Sequence, residues 1–263
     1  GKQTGSDLII VFFHDCSFLA FSDPKHIKYQ YHLLETKEVS NYICEAHDKN
    51  PILFTLNKIG LLSFWNLIDK PNRVYNIQYT GQHIIDLKFL QHQTIRLAYI
   101  TDTGAGSRSV KVCTFNSKFL ILEEVSKLCI NQLLDSTSSI IVPFPHGDHE
   151  KPVYLVLGTE NIALVFKTGV VNVDSPFEGY SPRCFCELGG WSSLVATTDG
   201  SLFGMYFETQ FEFFKIGKVP ILPTTITKID GNIFFIGSSY GDSLFAQISN
   251  DSIQILQKIT HFY

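Results

Sequence analysis

Residues 231–248 read GNIFFIGSSYGDSLFAQI, and this stretch decides the fold. Ile233, Phe234, Phe235 and Ile236 form an apolar strand, residues 237–242 a glycine-flanked turn, and residues 243–248 the return. Five earlier stretches follow the same plan: 7–21 (DLIIVFFHDCSFLAF), 52–65 (ILFTLNKIGLLSFW), 95–115 (IRLAYITDTGAGSRSVKVCTF), 153–166 (VYLVLGTENIALVF) and 193–207 (SLVATTDGSLFGMYF). The turn centres, near residues 15, 58, 105, 160, 199 and 240, recur roughly every 40 to 55 residues, the period of a β-propeller blade. Each hairpin then buries its two faces against neighbouring hairpins.

The expected fold is therefore all-β: a single β-propeller over residues 1–263, showing six recognisable hairpins of a seven-bladed ring. An open ring leaves an unpaired strand edge, so the chain is expected to be a piece of a longer protein, the alternative being a missing blade assembled from its two ends. Propellers serve mainly as rigid platforms, which directs attention to binding before reaction.

Composition agrees with strands packed on both faces: 22 Phe and 11 Tyr, with only 17% charged residues. The 21 basic residues are scattered among 25 acidic ones for a net charge of −4, which argues against a nucleic-acid platform. Apolar runs reach about six residues where a membrane span needs about twenty, so no membrane segment is expected. The opening GKQTGSD is polar and does not read as a signal peptide. Cys16, Cys44, Cys113, Cys129, Cys184 and Cys186 sit mostly in apolar strands without a dense framework, and are expected as buried, reduced thiols of an intracellular protein.

Between the hairpins lie further strand-like pieces. Residues 27–31 place apolar side chains at every second position, and 211–216 and 252–259 are similar. Residues 84–90 and 138–144 precede their hairpins and read as additional blade strands. Residues 33–47 and 125–134 are the only helix candidates, neither with a clear apolar stripe and both caps. The first is expected to hold a loop between blades.

Three local groups invite a chemical reading. Asp102-Thr103-Gly104-Ala105 resembles an aspartic-protease turn, but that chemistry needs a second such turn to share a proton, and none is present. Its plain reading is a hairpin turn. Residues 145–150, PHGDHE, bring two histidines and two carboxylates into a proline-flanked loop without the ligand set of a zinc site. Cys184 and Cys186 alternate along a strand and so share a face, as packing residues do. No metal site, cofactor site or catalytic constellation is expected, and the chain reads as a non-enzyme. A catalytic propeller would need carboxylates or histidines converging on the channel mouth, and the hairpins show none at regular spacing.

The turns remain. Most are small and polar, at Asp15, Asn57-Lys58, Asp199-Gly200 and Ser238-Ser239. Tyr240 differs: a large amphipathic ring at a turn tip either leans back on its own blade or serves as an interface anchor.

Residues 237–243, Gly-Ser-Ser-Tyr-Gly-Asp-Ser, preceded by Gly-Asn-Ile-Phe-Phe-Ile, resemble the Gly-Ser-x-x-Gly-Asp-Ser motif of the damaged-DNA-binding protein 1 family. That family includes the large subunit of the cleavage and polyadenylation specificity factor and a splicing factor 3b subunit. Residues 84–90 (IIDLKFL) are similar to its Ile-Asp-Val-Lys-Phe-Leu strand, residues 199–203 (DGSLF) to its Glu-Gly-Arg-Leu-Phe turn, and residues 7–13 to its Asp-Leu-Leu strand. Asp242 matches the damaged-DNA-binding branch, where the RNA-processing branches more often carry Asn. The resemblance implies the first propeller of a nuclear cullin-RING ligase adaptor in DNA repair or replication, lacking its opening blade. Its partners would be a substrate-receptor protein and, through the rest of the parent chain, a cullin, with no direct contact to nucleic acid or membrane. By the same resemblance Ser239 and Tyr240 hold the variable turn positions that face the receptor, where the family has Arg-Leu. The sister branches imply a scaffold of pre-mRNA 3′-end processing or splicing as the alternative.

Overall fold

Strand after strand in this chain is too apolar to face water on either side, and the architecture follows from covering both faces. The computed structural model describes the backbone of seven strands between Ile9 and Gln78. From residue 83 it describes side chains as well, except at 91–95, 103, 105, 115–122, 145–149 and 261–263, with strand backbone alone at 115–116 and 121–122.

All sheets are antiparallel. The first has three strands: β1 (Ile9–Phe12), β2 (Ser17–Asp23) and β3 (His26–His32). The second comprises β4 (Val39–His47), β5 (Asn50–Asn57), β6 (Leu61–Asn66) and β7 (Asn72–Gln78). Sixteen further strands make four four-stranded sheets. These are β8 (His83–Leu90), β9 (Arg96–Asp102), β10 (Arg108–Asn116) and β11 (Ile121–Glu124); then β12 (Ile140–Pro143), β13 (Tyr154–Leu157), β14 (Asn161–Phe166) and β15 (Gly169–Asp174). Next come β16 (Pro182–Gly189), β17 (Ser192–Thr197), β18 (Ser201–Phe207) and β19 (Phe211–Lys218). The last sheet holds β20 (Thr225–Asp230), β21 (Ile233–Gly237), β22 (Ser243–Ile248) and β23 (Ile253–Ile259). Among the described residues the one helical element is a 3-10 turn at Ser126–Leu128.

Each expected hairpin is the central pair of strands of its sheet, or β1–β2 in the first. The pieces read at 27–31, 84–90, 138–144, 211–216 and 252–259 are also strands. One reading needs correction. The stretch 33–47 holds strand β4 over Val39–His47, where a loop was expected. Its shift in register between Val39 and Asn41 breaks the simple alternation by which a strand is recognised.

Side chains alternate between two cores. On β17, Leu194 and Ala196 join Phe234, Ile236, Leu244 and Ala246 of the next sheet, while Val195 joins Leu155, Leu157, Ile162 and Leu164 of the previous one. One sheet earlier, Tyr154, Val156, Ala163 and Val165 pack on Ala98, Ile100, Val110 and Val112. The last four sheets therefore stack face to face in chain order, and both parities of β13, β14, β17 and β18 are buried. The fourth strands β15 and β23 are largely exposed along the outside. First strands lie beside first strands: β4 by β8, β8 by β12, β12 by β16 and β16 by β20. This is a β-propeller-like arrangement, with first strands innermost and fourth strands outermost.

The inner strands also carry a charged group. Asp86 on β8 accepts the buried Ile141 N–H of β12 at 2.8 Å, tying one sheet to the next. Burial pushes its carboxyl up, against the pull of Lys88 and of the N–H groups of Ile141 and Leu87. Lys88 stands 3.7 Å from Asp86 and reaches inward to within 5.6 Å of the Phe185 ring on β16. Glu187, two residues further along β16, is likewise pushed up by burial and drawn back by Lys88.

Candidate interaction face

In the last four sheets the turns between second and third strands lie at one end, together with the connections leading from one sheet to the next. Backbone hydrogen bonds join them: Ser175 N–H to Glu160 O at 2.8 Å, Thr198 N–H to Ser181 O at 2.9 Å, Val219 N–H to Gly200 O at 2.9 Å, and Thr224 N–H to Gly237 O at 2.8 Å. Loops fixed this way form a firm surface.

Aspartates hold the individual turns. Asp102 accepts the Gly104 N–H at 2.8 Å and lies 3.6 Å from Arg108, so the Asp-Thr-Gly stretch is a hairpin turn closed by its own aspartate. Asp135, in the connection before β12, accepts the Thr137 N–H and hydroxyl at 2.7 and 2.6 Å and the N–H groups of Glu160 and Asn161 at 2.7 and 3.1 Å. Burial alone would raise this carboxyl, but the Thr137 hydroxyl and those N–H groups hold it below its ordinary value. At Asp199 burial is likewise overcome, by Thr197, Lys218 and Ser201, and the carboxyl lies well below the usual range.

A line of side-chain hydrogen bonds crosses the sheet boundaries on this face. From Asp135 it passes to Thr137, whose Oγ1 accepts the Thr159 N–H at 2.9 Å, and from Thr159 Oγ1 to Ser181 Oγ at 3.2 Å. Two residues on, Arg183 Nη2 donates to Tyr240 Oη at 3.5 Å. Ser239 Oγ lies 3.2 Å from Thr224 Oγ1, closing the line at the last sheet.

The two site residues expected from sequence, Ser239 and Tyr240, both lie exposed in the turn from β21 to β22. Tyr240 is 68% exposed, so its ring does not lean back into its own sheet. The other motif positions build the turn beneath it. Ser238 Oγ accepts the Tyr240 N–H at 3.2 Å, Ser243 Oγ accepts the Ser238 N–H at 3.4 Å, and Asp242 pairs with Lys258 at 2.5 Å. A Cβ at Gly237 would meet Thr225 Cγ2 at 2.6 Å, which explains the glycine by close approach.

Three further large apolar side chains are exposed at this end, each in a connection between sheets: Leu134, Tyr180 and Leu222. Sequence reading missed them and Arg183. The available signal was a large apolar residue inside a segment otherwise rich in Ser, Thr, Asp and Pro, as in LLDSTSS and PILPTT.

Cys184 and Cys186 do share one face of β16, packed against the core between the last two sheets, while Phe185 points into the other core. With Cys113 and Cys129 they are free thiols. Residues 145–149 of the histidine loop and Cys16 lie outside the described residues, and Cys44 is described by backbone alone. No group of three or more His, Cys, Asp or Glu is placed to hold a metal among the described residues, and no helix there is long and apolar enough to cross a membrane. A cleft of about 500 Å³ opens at the opposite end of the sheets, lined without charge by Leu188, Ser192, Gly204, Tyr206, Phe214 and Asn250. Compared with known proteins, the chain matches no family model and no curated protein at a significant level.

Proposed function

We propose that this chain is a non-catalytic docking propeller whose turn face receives a protein partner. The observation that carries the reading is the gathering of Leu134, Tyr180, Leu222 and Tyr240, four exposed large apolar side chains, on one face fixed by backbone and aspartate hydrogen bonds. Tyrosine held on a rigid support gives contact area at small entropic cost, as at the centres of interfaces. The six sheets belong to a seven-bladed ring in this reading, its remaining blade supplied by other parts of a longer parent chain.

The motif resemblance extends the proposal. The parent protein is a nuclear cullin-RING ubiquitin ligase adaptor acting in DNA repair or replication, similar to the yeast methyl-methanesulfonate-sensitivity cullin adaptor. This propeller recruits the substrate receptor through Ser239 and Tyr240, and the cullin binds elsewhere on the parent chain. Affinity purification of the tagged parent protein, followed by mass spectrometry, tests it. Recovery of a cullin together with a repair factor supports the assignment. Recovery of polyadenylation or splicing subunits instead would move the chain to the RNA-processing branches and overturn the ligase reading.

A further inference from the structure

We infer that Arg183 selects the partner of the turn face: the docking segment is a peptide that combines apolar side chains covering Tyr240 with a carboxylate paired to the Arg183 guanidinium. This rests on the docking reading of the face and adds the chemistry of its partner.

Arg183 stands exposed at the start of β16, and its guanidinium is held beside the Tyr240 hydroxyl by a hydrogen bond at the long limit, 3.5 Å. The contact fixes where the charge sits without compensating it. Four aspartates at this end of the sheets are satisfied within the chain: Asp199 by Lys218 at 3.0 Å, Asp242 by Lys258 at 2.5 Å, Asp102 by Arg108 at 3.6 Å, and Asp135 by its four hydrogen bonds. Among the described residues Glu160 and Asp174 are also exposed at this end, and neither forms an ion pair with Arg183.

Any partner that covers Tyr240 also strips water from the guanidinium beside it. A charge buried without an opposite charge is costly, so an uncharged apolar segment binds poorly here and a basic one is repelled. A carboxylate matches the guanidinium fork with two parallel hydrogen bonds. Because the guanidinium and the ring form one unit, the acidic and apolar residues of the partner lie within a few positions of each other.

The probe is a random 16-residue peptide-display library panned on the full-length parent protein, in wild-type, Tyr240→Ala, Arg183→Ala and Arg183→Lys forms, each checked for folding by circular dichroism. Peptides that bind wild type but not Tyr240→Ala are expected to carry Asp or Glu at a fixed spacing from Leu, Phe or Trp. Changing that acid to its amide should weaken binding to wild type at least about tenfold, and to Arg183→Ala less than about twofold, with Arg183→Lys between them. Tyr240-dependent peptides without an acidic position, or an equal amide effect on Arg183→Ala, would overturn this inference and leave the docking face standing. Absence of any Tyr240-dependent peptide would overturn the docking reading and this inference with it.

Discussion

Asp135 ties the connection before β12 to the turn between β13 and β14, and removing its carboxylate should be felt across the face. It accepts two bonds from Thr137 and two from the N–H groups of Glu160 and Asn161, 25 and 26 residues away. Water can replace the two at Thr137, an exposed residue. The two cross-connection bonds have a charged acceptor, for which about 1.5–3 kcal/mol each is usual, so Asp135→Ala should cost about 3 kcal/mol. Asp135→Asn can still aim its one oxygen at the Glu160 and Asn161 N–H groups but loses the charge and sets its NH₂ against the Thr137 N–H, and should cost about 2 kcal/mol at pH 7. The carboxyl is held below its unfolded value. Its contribution is therefore complete above the unfolded pKa of about 3.9 and is lost as pH falls through the native one. Urea unfolding of wild type and Asp135→Asn at pH 7 and pH 3 should show a gap that narrows at the lower pH. A gap of constant size, or an alanine cost below about 1 kcal/mol, would refute the account of this carboxylate.

Gly200 has φ +90°, and a Cβ there would lie 2.6 Å from Val219 O and 2.7 Å from Ile221 O, both backbone atoms. Gly200→Ala should therefore cost about 3 kcal/mol in chemical denaturation, strain and crowding combined, against about 1 kcal/mol for Gly106→Ala, where φ is similar but the space is open. Equal losses would show that crowding against the connection is not the reason for the glycine. Burial pushes the Cys184 thiol up to about 12, with Arg183 partly opposing, and raises Cys113, Cys129 and Cys186 as well. Iodoacetamide at pH 8, read by mass spectrometry, should label Cys184 slowly in the native protein and quickly after denaturation; fast native labelling would place that thiol outside the core.

The hairpins could be read from sequence because most central strands are apolar at both parities and most of their turns are short and carry Gly, Asp or Ser. That combination is local. The first strands were harder to read. In β4 the register shift near Asn41 hides the alternation, and in β20 Lys228 and Asp230 give a polar surface to an inner strand. Tyr240 could be picked out by type and place alone. Its neighbour Arg183 could not, since 57 residues separate them. The same holds for Asp86, whose strand IIDLKFL is plain in sequence but whose acceptor role rests on Ile141, 55 residues on. Turn chemistry is local and legible. What the face brings together depends on how successive sheets stack, which no single segment encodes.

The central claim is that a protein docks on the turn face around Tyr240. A protein recovered by affinity purification should be titrated against wild type, Tyr240→Ala and Ile229→Ser, the last an exposed residue at the opposite end of the sheets. The account predicts a loss of about 1–2 kcal/mol in affinity for Tyr240→Ala, at the low end of hot-spot effects, and wild-type affinity for Ile229→Ser. Unchanged affinity for Tyr240→Ala, with the loss appearing at Ile229, would contradict it and place the partner on the other face.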